Sequence, residues 1–209
     1  MESEGEMAKR KARSEPKGLQ FKSFAFDTKS VAEEADDDGF VYIEAYASVF
    51  DNVDSHNDMI VKGAYSDTLK AWGEKGAPIP SYYNHGALSN DPHDNVGFLA
   101  EAKEDDHGLK VRMALDVAHN AKAAYAHRLI KQDRMRELSV GYIAKSWELM
   151  HEEDKDEWDY TRKLTALDLL EVSVVSVASN PLATVTAKAA QLLYGDVDDV
   201  DETDDDDDS

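Results

Sequence analysis

From Phe40 the chain alternates tightly. In FVYIEAYASVF, Tyr42, Glu44, Tyr46 and Ser48 alternate with Val41, Ile43, Ala45, Ala47 and Val49, a period of two that predicts a half-buried strand. Upstream, Phe21, Phe24 and Phe26 mark residues 19–29 as another strand, and the acidic run 33–38 ending in Gly39 reads as a turn. Residues 59–61 (MIV) form a short strand. Ala64, Leu69 and Trp72 predict a short helix stopped by Gly73 or Gly76. Pro78 and Pro80 lead into SYYNHG, and residues 95–116 read as a hairpin turning at 105–108. With Asp116 as candidate cap, Ala118, Ala121, Tyr125 and Leu129 predict a helix ending near Arg136. Strands then follow in LSVGYIAKSWEL, YTRKLTALDLL and EVSVVSVA, until Asn180–Pro181 breaks the pattern.

Six to seven strands with two clear helices predict a mainly β fold with helices (α+β), a closed or partly open β-barrel decorated by helices. It should occupy residues 19–190. Residues 1–18 change charge sign and lack an apolar period, so they are expected to be a flexible charged arm. Residues 191–209 are expected to be a disordered acidic tail.

Composition narrows the function. The 209 residues carry 44 acidic and 23 basic side chains, a formal charge of −21, and residues 196–209 alone hold nine Asp, one Glu and no base. No basic face stands out for nucleic acid. The absence of Cys excludes disulfides, thiolate metal sites and a cysteine nucleophile. No apolar run approaches the ~18 residues of a membrane span, and residues 1–18 have no apolar signal core. A soluble protein in a reducing compartment is expected.

Three residues stand out, each with an ordinary alternative. His85 follows the aromatic segment Tyr82–Tyr83 and precedes Gly86, which places its ring at the edge of the core as a base or as a structural histidine. Ser139 shares a strand face with Gly141, opposite Leu138, Val140 and Tyr142. That is either open space for a substrate carbonyl or a solvent-facing serine on an amphipathic strand. Glu171 interrupts the apolar run LLEVSVV, either as a buried carboxylate in need of a partner or on a partly exposed face. His107, His127 and His151 read as solvated. His56 and His93, with Asp54, Asp58, Asp91 and Asp94, imitate a metal site without the ligand spacing of one, so no metal and no cofactor are called for.

The order of these residues carries more than any one of them. His85, Ser139 on a strand after a helix, and Glu171 before Ser179-Asn180-Pro181-Leu182-Ala183 together resemble the tailed-phage prohead (capsid maturation) serine proteases, a family related in fold to the herpesvirus assemblins. Residues 46–50 with Asp54 and Asp58, then Gly63-Ala64-Tyr65, look like the family's "pGAF" segment. Asn84-His85 with Val96-Gly97 looks like "HD…piG", with Gly86 where an Asp is often found, and residues 138–142 look like the nucleophile strand "lSiGf". The resemblance covers residues 40–185. It implies Ser139 as nucleophile, His85 as general base and Glu171 in the third position. No Arg follows Arg162, so the oxyanion candidates are backbone N–H groups near 179–183 and the Asn180 side chain, with Asn180 and Ala183 as the named positions.

The resemblance also implies a serine endopeptidase that works in the host cytoplasm, inside the assembling prohead. Its substrates would be the scaffolding region of the major capsid protein or a separate scaffold protein, with self-cleavage afterwards. Portal and shell components are further contacts in that setting, and the assemblin relatives work as dimers, which leaves a homo-oligomer open. The acidic tail fits either docking to a basic scaffold surface or a solubilising end. Two other readings stay open on sequence: a non-enzymatic capsid-assembly or scaffold protein with a protease-like barrel, and a metal-binding β-domain using His56, His85 and His93.

Overall fold

The computed structural model describes residues 16, 18–27, 31–54, 57–89, 91–151 and 160–176. Among these, eight strands and two α-helices follow in the order β1 (Leu19–Ala25), β2 (Phe40–Val49), β3 (Asp58–Ile60), α1 (Ser66–Lys75), β4 (Pro80–Tyr83), β5 (Asn95–Glu104), β6 (Gly108–Asp116), α2 (Ala121–Lys131), β7 (Glu137–His151) and β8 (Tyr160–Val175). The sheet runs β1-β7-β8-β4-β5-β6-β2, with β3 beside the far end of β8. Its two end strands, β1 and β2, come back to lie near each other, so the sheet curls into a partly open barrel. The two stretches read as separate strands, 160–170 and 171–178, form a single β8 to Val175, and β3 brings the total to eight.

The barrel interior holds Val41, Ile43, Val111, Met113, Leu138, Val140, Tyr142, Leu169, Val172 and Val174, all at most 2 % exposed. Bulges adjust the simple alternation. In β2 a register shift between Tyr46 and Ser48 buries Ala47 and Ser48 in succession. In β8, Gly141 faces Glu171 while Tyr142 faces Leu169, so Leu170 is an extra residue. The bulge lets Leu169 and Val172 both point inward, and it leaves Leu170 37 % exposed beside Glu171.

One edge of β8 pairs in parallel with β3 over residues 162–164 and with β4 over residues 172–174. Between them the backbone of β8 needs other partners, because a buried unpaired peptide group is costly. The segment containing α1 supplies them. Leu167 donates its N–H to the Ala64 carbonyl (3.1 Å), Leu169 donates its N–H to Thr68 Oγ1 (3.0 Å), and Trp72 Nε1 donates to the Leu169 carbonyl (2.8 Å). α1 ends at Gly76, whose φ of 64° suits a residue without Cβ.

α2 differs from the sequence expectation at both ends. Its cap is Asn120, whose side chain accepts from the N–H groups of Lys122 and Ala123. Asp116 instead closes the preceding turn by accepting from the His119 N–H. The helix stops at Lys131, and Asp133 takes a positive φ of 58°, so residues 132–136 are not helical. Ala123, Ala126, Leu129 and Ile130 form the buried stripe, whereas Tyr125, expected inside, is 42 % exposed. Among the described residues no helix is long and apolar enough to cross a membrane.

Candidate active site

Strand register places two of the three candidates, Ser139 and Glu171, on the outer face of β1, β7 and β8. Ser23 of β1, Ser139 of β7 and Ser173 of β8 form one cross-strand row, and Phe21, Gly141 and Glu171 form the next. Ser139 is therefore one pleat, about 7 Å along β7, from the glycine that faces Glu171.

His85 arrives from the other side. β4 ends at Tyr83, and the chain turns sharply through Asn84 and His85, both at positive φ (48° and 58°). Asn84 holds the turn: its N–H donates to the Val174 carbonyl (2.9 Å), and its Oδ1 accepts from Ser176 N–H (2.9 Å). These contacts fix the turn to the end of β8. Two strained residues held by such contacts are a common mark of functional loops.

From this turn the His85 ring, 17 % exposed, reaches Glu171, with Nδ1 2.6 Å from Oε1. A carboxylate oxygen accepts, so the proton is assigned to Nδ1, and Nε2 keeps a free lone pair for a second proton. The ring also packs on Phe21, centroid to centroid 3.9 Å. Glu171 is 2 % exposed, and its other oxygen accepts from Ser173 Oγ. Ordinary alternation would have left Glu171 half in solvent. Instead His85 covers it and supplies the partner that a buried carboxylate requires.

Gly141 explains how the carboxylate fits. A Cβ there would lie 2.4 Å from Glu171 Oε1 and 3.0 Å from its Cδ. The room beside Ser139 is thus filled by Glu171 rather than left open for a substrate carbonyl. Gly86 makes room in the same way for Asp94, whose Cβ would be 2.1 Å from a Cβ at residue 86. Asp94 accepts from Ser89 Oγ and pairs with Lys122 at 2.5 Å, which ties the loop after His85 to the start of α2.

Ser139 is wholly buried, not solvent-facing, and among the described residues its Oγ has no hydrogen-bond partner. An unpaired buried hydroxyl is unusual in a structure that satisfies most polar groups. Asn180 and Ala183, the oxyanion candidates, lie outside the described residues, as do His56, residues 1–15 of the arm and the acidic tail. His93 is 75 % exposed and sits against Asp91 at 2.9 Å, on the same side chain that binds Lys122. Among the described residues no three His, Asp or Glu side chains are grouped to hold a metal ion. Sequence reasoning missed Ser173 and Phe21. Ser173 could have been found, since residues 171 and 173 must share a strand face; nothing in the sequence pointed to Phe21.

A curled sheet with a buried His–carboxylate pair beside a serine strand is an arrangement suited to acyl transfer by a serine hydrolase. The family described as caudovirus prohead serine protease matches residues 25–195, and the chain belongs to it. It is 31 % identical over 129 residues to the prohead protease of Enterobacteria phage HK97, a match spanning 59 % of this chain and 52 % of that protein. The chain thus spans about half the length of this curated relative. The fold is similar to that of the bacteriophage T4 capsid assembly protease, with a TM-score of 0.56 and 13 % identity over 76 % of this chain and 97 % of that one.

Proposed function

We propose that the chain is a serine endopeptidase of phage prohead maturation in which Ser139 is the nucleophile, His85 the general base and Glu171 the residue that orients the base. The observation that carries this reading is the buried 2.6 Å contact between His85 Nδ1 and Glu171 Oε1, on the sheet face that bears Ser139. A serine hydroxyl is a weak nucleophile near neutral pH and needs a neighbouring base. With Nδ1–H donated to the carboxylate, Nε2 is the atom that takes the Ser139 proton during attack and returns it to the leaving amine. The positive imidazolium formed between these steps lies against the buried carboxylate, which stabilises it more than a second imidazole would. Asn180 and the backbone N–H of Ala183 are the proposed oxyanion donors.

The proposed substrates are the scaffolding segment of a major capsid protein or a scaffold protein, cleaved inside the prohead, followed by the chain itself. The names of the HK97 and T4 relatives support this setting. Ser139→Ala and His85→Ala are expected to abolish cleavage of a capsid-precursor fragment while leaving the circular dichroism spectrum unchanged. Glu171→Gln, which favours the wrong tautomer, is expected to reduce kcat by roughly 10⁴-fold. A folded Ser139→Ala or His85→Ala protein that still cleaves overturns the proposal.

The burial of Ser139 favours a second reading, a capsid-assembly protein that keeps the protease-like sheet without the activity. If the enzyme reading holds, the cover over Ser139 must open before substrate enters. Preincubation with capsid precursor should then raise Ser139 reactivity, whereas an assembly protein would show none at any stage.

A further inference from the structure

Among the described residues the Glu171 carboxylate has two partners, and the proposed mechanism uses one of them. Oε1 meets His85 Nδ1, and Oε2 accepts from Ser173 Oγ. Ser173 is itself fully buried and lies two residues along β8 from Glu171. Across the sheet it pairs with Ser139 on one side and with Tyr82 on the other, so its backbone is fixed from both neighbours. A buried carboxylate with a single partner is free to rotate about its last torsion and to lose the in-line approach to Nδ1. A second donor on the other oxygen removes that freedom.

We infer that Ser173 is a positioning residue: its hydroxyl locks the Glu171 carboxylate in line with His85 Nδ1. This rests on the proposed roles of His85 and Glu171. Among the described residues, the groups around His85 leave little else to act in this way: β8 offers Glu171 and β1 the Phe21 ring. Asp94, behind Gly86, is paired with Lys122 and Ser89, and the turn from β4 adds the uncharged Asn84 and the phenol of Tyr83. Lys22, the nearest cation on β1, points into the barrel, where its Nζ donates to the carbonyls of Asn52 and Asp58.

Two effects should follow from Ser173→Ala. Without the hydroxyl, the carboxylate turns out of line with Nδ1–H and stabilises the protonated ring less. The acid limb of the kcat/KM profile should therefore move to lower pH by about half a unit to one unit. In addition, kcat should fall by about tenfold with KM little changed, because the loss is one of base orientation rather than of substrate contact. Ser173→Thr keeps the hydroxyl and should restore both.

A measurement that does not depend on proteolysis separates this inference from the proposed function. In the Ser139→Ala protein, the Nδ1–H proton of His85 is followed by NMR. Adding Ser173→Ala should shift that resonance upfield and speed its exchange with water, and Ser173→Thr should reverse the change. If Ser173→Ala does not fold, Ser173→Cys serves, since a thiol donates weakly and should give the same shift in smaller measure. A resonance and acid limb identical in wild type and in the Ala or Cys variant overturn the inference. Failure of the proposed function would show instead as cleavage that survives His85→Ala.

Discussion

Replacing Gly141 with Ala tests the packing of the site with one methyl group. The backbone at 141 is ordinary extended strand, so the substitution adds no conformational strain. Its Cβ would lie 2.4 Å from Glu171 Oε1 and 2.9 Å from Cγ, against a normal contact of about 3.4 Å. The carboxylate oxygen must therefore retreat by about 1 Å. A displacement of that size directed away from His85 lengthens the 2.6 Å contact to about 3.6 Å, too long for a hydrogen bond. Misplacing a catalytic group by ~1 Å costs about 100-fold in rate, and overfilling a packed site costs about 1–3 kcal/mol in stability. The assay pairs urea unfolding with kcat/KM on a capsid-precursor fragment. Gly73→Ala is the control, since its Cβ would meet nothing within 4 Å and helix propensity alone should raise stability by about 0.5–1 kcal/mol. Gly141→Ala protein with wild-type activity and an unchanged urea midpoint would refute the steric argument and the claim that Gly141 serves Glu171.

The same structure supports three further predictions. Lys22 is 3 % exposed, and burial lowers its ammonium below the ordinary 10.5, although Asp54 and Asp58 pull the other way. The unfolded chain thus binds this proton more tightly than the folded one, so folding gains stability as pH rises from the depressed value toward 10.5. Relative to Lys22→Met, the wild-type urea midpoint should rise as the pH climbs toward 10.5, and a constant difference contradicts this. Thr68→Val keeps the shape of a buried side chain but removes the acceptor for the Leu169 N–H, so equilibrium unfolding should show a loss of about 1–3 kcal/mol. Asn120→Ala removes the cap of α2 and two hydrogen bonds to the carbonyls of His93 and Asn95; a loss of about 1–2 kcal/mol by thermal unfolding is expected, and no change would mean the cap is not formed.

Local signals were legible where one physical rule governed. Alternation located β2, the turn at 105–108 located the β5–β6 hairpin, and Gly76 stopped α1. The rule failed where two competed. Asp116 and Asn120 are both good caps, and only Asn120 directly precedes the first turn of α2, within reach of the Lys122 and Ala123 N–H groups. Residues 169–175 read as an apolar run because a bulge at Leu170 turns two successive inward sets toward one core, which a period of two cannot express.

At the candidate site, sequence order named His85, Ser139 and Glu171, and the fold places the first and third in contact. What could not be read was the filling of space. Gly141 looked like room for substrate because a missing side chain does not reveal which neighbour occupies the gap. The burial of Ser139 was hidden for a related reason, since a strand's own pattern does not show what lies over its outer face.

The most direct test is covalent labelling with a fluorophosphonate probe, read by peptide mapping on full-length protein incubated with capsid precursor. A single adduct on Ser139, lost in His85→Ala and strongly reduced in Glu171→Gln, is the predicted result. An adduct on another serine such as Ser173, or Ser139 labelling that persists without the imidazole of His85, would contradict the view that these three side chains act as a unit.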